Sequence, residues 1–587
     1  MNLRYSDTAI FTHLKNFFSF FGNIAWPSSY QWTQFFKVVS KRERNLFFVF
    51  LFFTIASLVF IGARYYLGNT EVAPAKGGSY TEGIIGSPRY LNPILAQTND
   101  ADRDIVRIIF ASLLKYDGQG NLINDLAESY TIGNNGKIYE VKIKQNAFWH
   151  DGQKLTSDDV VFTIKAIQQP EYQSPLRINW QGVEVEKIDD LNVRFKLKNA
   201  YAPFLYNLTF GVLPKHIWQD VATTDFHLSE QNLKPIGSGP YVFKKLERNK
   251  DGLIKIIELE AFNKYHNDGP YLKNINLKFY PDEESAIDAW QKSEIQGINF
   301  ISPKNQSRIK NQQTGLNIYS LTLPRYFALF INQTQNKALA DKNVRQALAH
   351  AIDKDSLLTE VLDGAGKKVD SPVLEGMIGY SDQTKIYEFD LEKAKNILDE
   401  AGWKDANNDG FREKAETNLE FSLVTIPWTE FSQTADLLKK NWEAIGAKVS
   451  IETKDATSLQ QENIRPRQYQ MLLFGELLNI DPDPFSFWHS TQTKDPGLNL
   501  ALYENAQVDA ILQDARQDLD PVSRANKYQQ FSQIITEDLP AIFLYTPDYL
   551  YPILNKFKGV DLKILVMPSD RFSQIEKWYS ETARVWK

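Results

Sequence analysis

Cysteine is absent from all 587 residues. That excludes disulfides, thiolate nucleophiles, Cys-ligated zinc and iron–sulfur clusters. It also removes the residue on which a lipid-modified N-terminal anchor would be built. Histidine is scarce, with seven in the chain and none in a His-Glu-x-x-His or other close ligand spacing. Neither a Gly-x-Ser-x-Gly elbow nor a phosphate-binding loop occurs. A basic footprint is lacking too: the net charge is −6, so no nucleic-acid partner is expected. A carboxylate-pair hydrolase is left open by composition, because such a pair is assembled only by folding.

What the sequence does hold is aromatic and, at one place, continuously apolar. There are 37 Phe, 27 Tyr and 12 Trp. The run Leu46–Ala63 contains 18 residues and no charge, enough for a helix of roughly 27 Å, about the thickness of a bilayer core. Lys41, Arg42 and Arg44 precede it and Arg64 follows. By the positive-inside rule the tail 1–45 is cytoplasmic and the bulk of the chain lies outside. Ala73-Pro74-Ala75 loosely resembles a cleavage site, but the leading tail and the apolar run are both too long for a signal peptide. The tail carries six basic residues against two acidic ones, with aromatics including Phe17, Phe18, Trp26, Trp32, Phe35 and Phe36. It suits a place on the inner leaflet, a cytoplasmic partner, or a loosely ordered leader.

Asn69–Gly78 is short, polar and small, and reads as a linker. From Ser79 onward no further linker interrupts the chain, and no fixed-period repeat is present. Strand-like runs begin at Tyr139, Val193, Tyr241, Asn274, Leu419 and Ala541. Helical periodicity begins at Asp100, Asp159, Glu284, Asn343, Asp390 and Phe431. The two types alternate without a regular βαβ rhythm, which fits α/β or α+β lobes.

Several motifs in order resemble the peptide/nickel family of ABC-transporter solute-binding proteins. Phe148–Ile164, FWHDGQKLTSDDVVFTI, is the most specific: a strand ends at Trp-His-Asp-Gly and a helix opens after Thr156-x-x-Asp159. Its chemistry is that of a turn and a capping box, so His150 is given a structural task. The segment from Arg89 to Tyr130, Ile236–Lys245 (IGSGPYVFKK), Val344–Lys354 and Tyr528–Tyr545 resemble further family blocks.

The resemblance implies an α/β, two-lobed periplasmic-binding-protein-like fold of the large peptide-binding type with an extra subdomain, preceded by one transmembrane helix. Its implied boundaries are a tail over 1–45, an anchor over 46–67 and a linker over 68–78. Lobe I takes 79–325 plus 535–587, with a subdomain inserted at about 106–235, and lobe II takes 326–534. The crossings fall near Pro324–Tyr326 and Leu539–Pro540. The implied function is capture of a peptide, or a similar extended polar solute, for an ABC permease and its ATPase. The chain itself is expected not to be an enzyme. A membrane-anchored receptor without transport is the alternative, and an anchored extracellular hydrolase a more distant one.

One block departs from the family. In Phe474–Ser490, aligning Asp481-Pro482-Asp483 with the family's Asp-Pro pair puts Leu478 where the carboxylate that receives a peptide amine usually stands. Glu476 and Asp481 are the candidate substitutes. Trp428, Trp488, Tyr326 and Asn332 complete the candidate binding set. Asp481 also fits Asp-Pro turn chemistry, and the tryptophans also fit core packing. Separately, Asp405, Asn407, Asp409 and Glu416 fall on positions 1, 3, 5 and 12 of a calcium-loop pattern with Gly410 at 6. A strand-like run follows, so calcium and a solvated turn are the two readings there.

Overall fold

The structure is a computed structural model that describes residues 28–311 and 315–587. The tail residues 1–27, with Phe17, Phe18 and Trp26, lie outside the described residues. The chain divides into two units, residues up to 73 together with 582–587, and residues 74–581.

In the first unit Ser28 and Ser40 each open a helix with a reciprocal capping box, through Gln31 and Glu43. The second helix, Lys41–Asn69, has no buried residue, and among the described residues it is the one long and apolar enough to cross a membrane. Trp32, Phe35 and Phe36 of the short helix pack on Phe47, the last two at ring separations of 5.5 and 6.0 Å from it. The segment after the long helix is not the free linker that its composition suggests: Thr70–Ala75 is a strand paired with Glu581–Trp586.

The second unit is built on three large sheets, beside two short two-stranded ones. A seven-stranded sheet runs in the order Leu316–Leu321, Tyr549–Leu554, Gly297–Ile298, Ser79–Ile85, Asn274–Tyr280, Ile254–Ala261, Tyr241–Arg248. A six-stranded sheet runs Gly366–Lys368, Ala541–Pro547, Arg325–Ile331, Met471–Leu477, Glu420–Thr425, Lys448–Thr453. A four-stranded sheet, Ala127–Gly133, Ile138–Ile143, Asn192–Leu197, Val183–Lys187, forms the inserted subdomain. The first two sheets are the cores of lobes I and II. Strand Arg325–Ile331 is almost wholly buried and lies between two antiparallel partners, which suits its continuous apolar sequence.

The chain passes between the lobes at residues 322–324 and again at Asp548, where strand Ala541–Pro547 of lobe II gives way to Tyr549–Leu554 of lobe I. The return crossing therefore lies later than Leu539–Pro540. Leu539 does end a helix in the left-handed conformation, but the strand after it pairs with Arg325–Ile331 and stays in lobe II. The inserted subdomain likewise begins after 106, because helix Asp100–Ile109 packs as part of lobe I.

The Trp-His-Asp-Gly block shows why its residues are needed. The Asp159 carboxylate accepts the Thr156 N–H at 2.9 Å and, through its other oxygen, the Lys215 N–H at 2.9 Å. His150 Nε2 lies 3.0 Å from the Gly239 carbonyl, and Nδ1 accepts the Gly237 N–H at 3.3 Å. That arrangement needs a neutral ring, and burial holds its pKa down at about 4. Gly237 cannot be larger, since a Cβ there would meet the Ile109 carbonyl oxygen at 2.0 Å.

Candidate functional site

Strands Arg325–Ile331 and Met471–Leu477 pair antiparallel, with Arg325 opposite Leu477, Tyr326 opposite Glu476 and Phe327 opposite Gly475. Alternation sends these residues to two faces. Tyr326 and Glu476 point into lobe II. Arg325, Phe327, Gly475 and Leu477 share the other face, at the crossing.

The inward face is closed. Tyr326 is fully buried, and its hydroxyl donates to the Glu476 carboxylate. Burial pushes Glu476 up to about 8, against the opposing hydrogen bond from Tyr326. Trp488 is 1% exposed and packs on Phe531 and Phe543. Asp481, also 1% exposed, is ion-paired with Arg524. Asn332 is fully buried; its amide donates to the Arg467 carbonyl and its oxygen accepts from Thr334. These five side chains of the expected set are thus committed to holding lobe II together. Trp428, by contrast, is 63% exposed.

The outward face carries an aromatic floor and two charges that sequence reasoning missed. Phe327 meets Phe431 at 4.9 Å edge to face, and Phe431 meets Trp428 at 6.0 Å. A Cβ on Gly475 would lie 2.4 Å from the Phe327 ring, so glycine makes room for that ring. The Arg325 guanidinium sits 5.9 Å from the Phe327 centroid. Its Nε is buried without a hydrogen-bond partner, and among the described residues no acid comes within 4.0 Å of it. Burial lowers its pKa, and Glu430 is the largest opposing influence. Glu430, in the first turn of helix Thr429–Glu443, is raised by burial and held down by Arg325. It too has no ion pair within 4.0 Å among the described residues. The signal in the sequence was the lone charge of Arg325 heading an otherwise continuous apolar strand, whose alternation puts Arg325 and Tyr326 on opposite faces.

Beyond Leu477 the chain reaches Asn479, which lines a cavity of about 240 Å³ with lobe I residues that include Gln97, Arg103, Arg107, Tyr116, Trp180 and Asp570. Arg107 pairs with Asp570 at 2.7 Å. The inserted subdomain touches lobe II nearby. Tyr201 donates to Asp483 at 3.1 Å, Arg516 pairs with the same carboxylate at 3.0 Å, and the Arg516 guanidinium lies 5.1 Å from the Tyr201 ring. A groove of about 860 Å³ adjoins this clasp. Polar groups of the inserted subdomain, lobe I and lobe II thus meet along these two concave surfaces.

The calcium-like loop satisfies its own oxygens. Asp405 accepts the N–H groups of Asp409 and Gly410, Asn407 accepts that of Asp409, and Asp409 accepts that of Phe411. Glu416 is exposed. Among the described residues no three His, Asp or Glu side chains gather as a metal site.

Comparison with known proteins agrees with this architecture. The family model for bacterial extracellular solute-binding proteins, family 5 (Middle), matches residues 121–498. The oligopeptide-binding protein AppA of Bacillus subtilis is 32% identical over 514 residues, which cover 86% of this chain and 92% of that one. Its structure in complex with a nonapeptide superimposes with a TM-score of 0.68, covering 86% of this chain and 99% of that chain. The dipeptide-binding protein of Escherichia coli is 27% identical over 81% of this chain and 90% of its own. The structure of NikZ from Campylobacter jejuni with Ni(L-His) gives a TM-score of 0.70 at 27% identity, covering 85% of this chain and 99% of that chain. A matched family model spanning more than half the chain and an AppA likeness along nearly its whole length lead to one conclusion: the chain belongs to the family 5 bacterial extracellular solute-binding proteins.

Proposed function

We propose that this chain captures peptides between its two lobes and hands them to an ABC permease, while its helix Lys41–Asn69 holds it in the cell membrane with residues 74–581 outside. ATP is hydrolysed by other subunits, and the chain carries out no covalent chemistry.

The observation that carries the peptide reading is the unpaired charge at the crossing. Arg325 suits a carboxylate and Glu430 an ammonium. Trp428 and the floor beneath Arg325 offer apolar and aromatic surface to a side chain. A peptide supplies all three kinds of group. Leu478, standing where the family usually has an anchoring carboxylate, is buried, so Glu430 takes the amine-binding role here. The names of AppA and the dipeptide-binding protein support the same solute class.

The test is thermal unfolding of the full chain in detergent against peptide pools, oligosaccharides and nickel–histidine. A ligand at a hundredfold its dissociation constant adds about 2.7 kcal/mol. Peptides are expected to raise the melting temperature. A rise with sugars or nickel–histidine alone contradicts the reading. Co-purification of permease and ATPase subunits separates transport from reception without transport.

A further inference from the structure

Residues 582–587 return to the end of the long helix and complete it. A helix leaves its last carbonyls without intrahelical partners, and that end favours positive charge. Helix Lys41–Asn69 has no basic residue in its last turn. The cations come from the far end of the sequence. The Lys587 N–H donates to the Asn69 carbonyl at 3.0 Å, and its Nζ donates to the Gly68 carbonyl at 3.2 Å. Arg584 Nη1 donates to the Thr70 carbonyl at 3.2 Å and to its hydroxyl at 2.9 Å.

The same return sets aromatic rings around the helix end. Trp586 lies 6.4 Å from the Tyr65 ring and 5.8 Å from the Tyr66 ring. All three stay open to the surroundings: Trp586 is 63% exposed, Tyr65 66% and Tyr66 43%. Leu67 beside them is 54% exposed. Packing accounts for the contacts among these rings but not for so much exposed aromatic surface on residues 520 and 521 positions apart. Tyr and Trp with an apolar body and a polar edge, next to Arg and Lys, have the composition of a membrane–water interface. The position agrees, since Leu46–Ala63 ends just before Arg64.

We propose that Arg64–Leu67 and Arg584–Lys587 form one collar that binds the phospholipid headgroup layer of the outer leaflet. The rings lie at the glycerol level, and the free donors of Arg64, Arg584 and Lys587 face lipid phosphates. The collar rests on the reading that Lys41–Asn69 crosses the membrane. Its consequence is a second attachment: residues 582–587, at the far end of the sequence, hold the chain at the bilayer beside the helix end.

The test reconstitutes the full chain into phosphatidylcholine–phosphatidylglycerol vesicles whose acyl chains are brominated near the glycerol. The chain has 12 tryptophans, so the signal of Trp586 is taken as the difference between the native protein and Trp586→Phe. Most of that difference signal is expected to be quenched by brominated lipid and little of it by aqueous acrylamide. Arg584→Gln/Lys587→Gln is expected to shift the signal towards acrylamide quenching while the protein still floats with vesicles. If the protein floats but Trp586 is quenched by acrylamide alone, the membrane span stands and the collar falls. If it does not float, the span and the collar fall together.

Discussion

Arg325 and Glu430 are placed at a cost to the folded protein. A half-buried charge without a close partner is poorly solvated, and the protein gains only a distant attraction in return. Arg325→Met is therefore expected to leave stability unchanged or raise it, while weakening peptide binding about 10–100-fold, the scale of a lost charge-assisted hydrogen bond. Glu430→Gln should weaken binding of free-amine peptides and leave N-acetylated ones unaffected. Calorimetric titration beside chemical denaturation measures both, and loss of stability in step with binding would make these residues structural. Glu476 behaves in the opposite manner. Its folded pKa of about 8 stands above the ordinary 4.5, so the folded protein keeps a proton that the unfolded chain has released. Its contribution to stability is lost as pH rises from about 4.5 to about 8. Glu476→Gln is expected to match the native protein near pH 5 and to exceed it by up to about 5 kcal/mol above pH 8. Parallel stability–pH curves for the two would contradict the buried, protonated carboxyl.

Among elements, the seven-stranded sheet is locked by one cation. Arg571 is fully buried; its Nε donates to Glu82 on the Ser79–Ile85 strand at 3.0 Å, and its Nη1 donates to Asp104 on helix Asp100–Ile109 at 2.7 Å. Tyr551, on strand Tyr549–Leu554 one strand removed across Gly297–Ile298, donates to Glu82 at 3.0 Å. Arg571→Met strands two buried carboxylates and is expected to cost about 3–5 kcal/mol, measured by denaturant unfolding. A loss under about 1 kcal/mol would mean that the carboxylates take up protons freely. No sequence pattern announces this network, whose partners stand 489 and 467 residues apart. The Trp-His-Asp-Gly block was legible for the converse reason: its turn, cap and helix start are local. The calcium-like loop is local as well, and its oxygens are already engaged by backbone N–H groups. Calcium is expected to leave the melting temperature unchanged, and Asp405→Ala to lower stability by about 1 kcal/mol. A calcium-dependent rise that Asp405→Ala abolishes would establish a metal loop instead.

For the solute-binding unit as a whole, two lobes, an inserted subdomain and one crossing could be read from motif order. The second crossing could not, because a helix end followed by proline looks like a boundary while sheet pairing keeps the next strand in lobe II. On these strands the expected residues and their outward-facing neighbours differ by a single position. Tyr326 and Glu476 were singled out, and their neighbours Arg325 and Leu477 face the crossing. A strand's faces alternate, so a one-residue difference separates the cleft from the core. Closure of two such lobes about paired crossings is the motion by which solutes are enclosed, and Tyr201, Asp483 and Arg516 clasp the lobes on the side of the insertion. The central claim is that a peptide is held at the crossing by its charged groups. It is tested most directly by calorimetric titration of the full chain with one bound peptide and with its C-amidated form, on native protein and on Arg325→Met. Amidation is predicted to weaken binding to the native protein about 10–100-fold and to make little difference to Arg325→Met. Equal binding of both forms by native protein, or an amidation effect that persists in Arg325→Met, would contradict it.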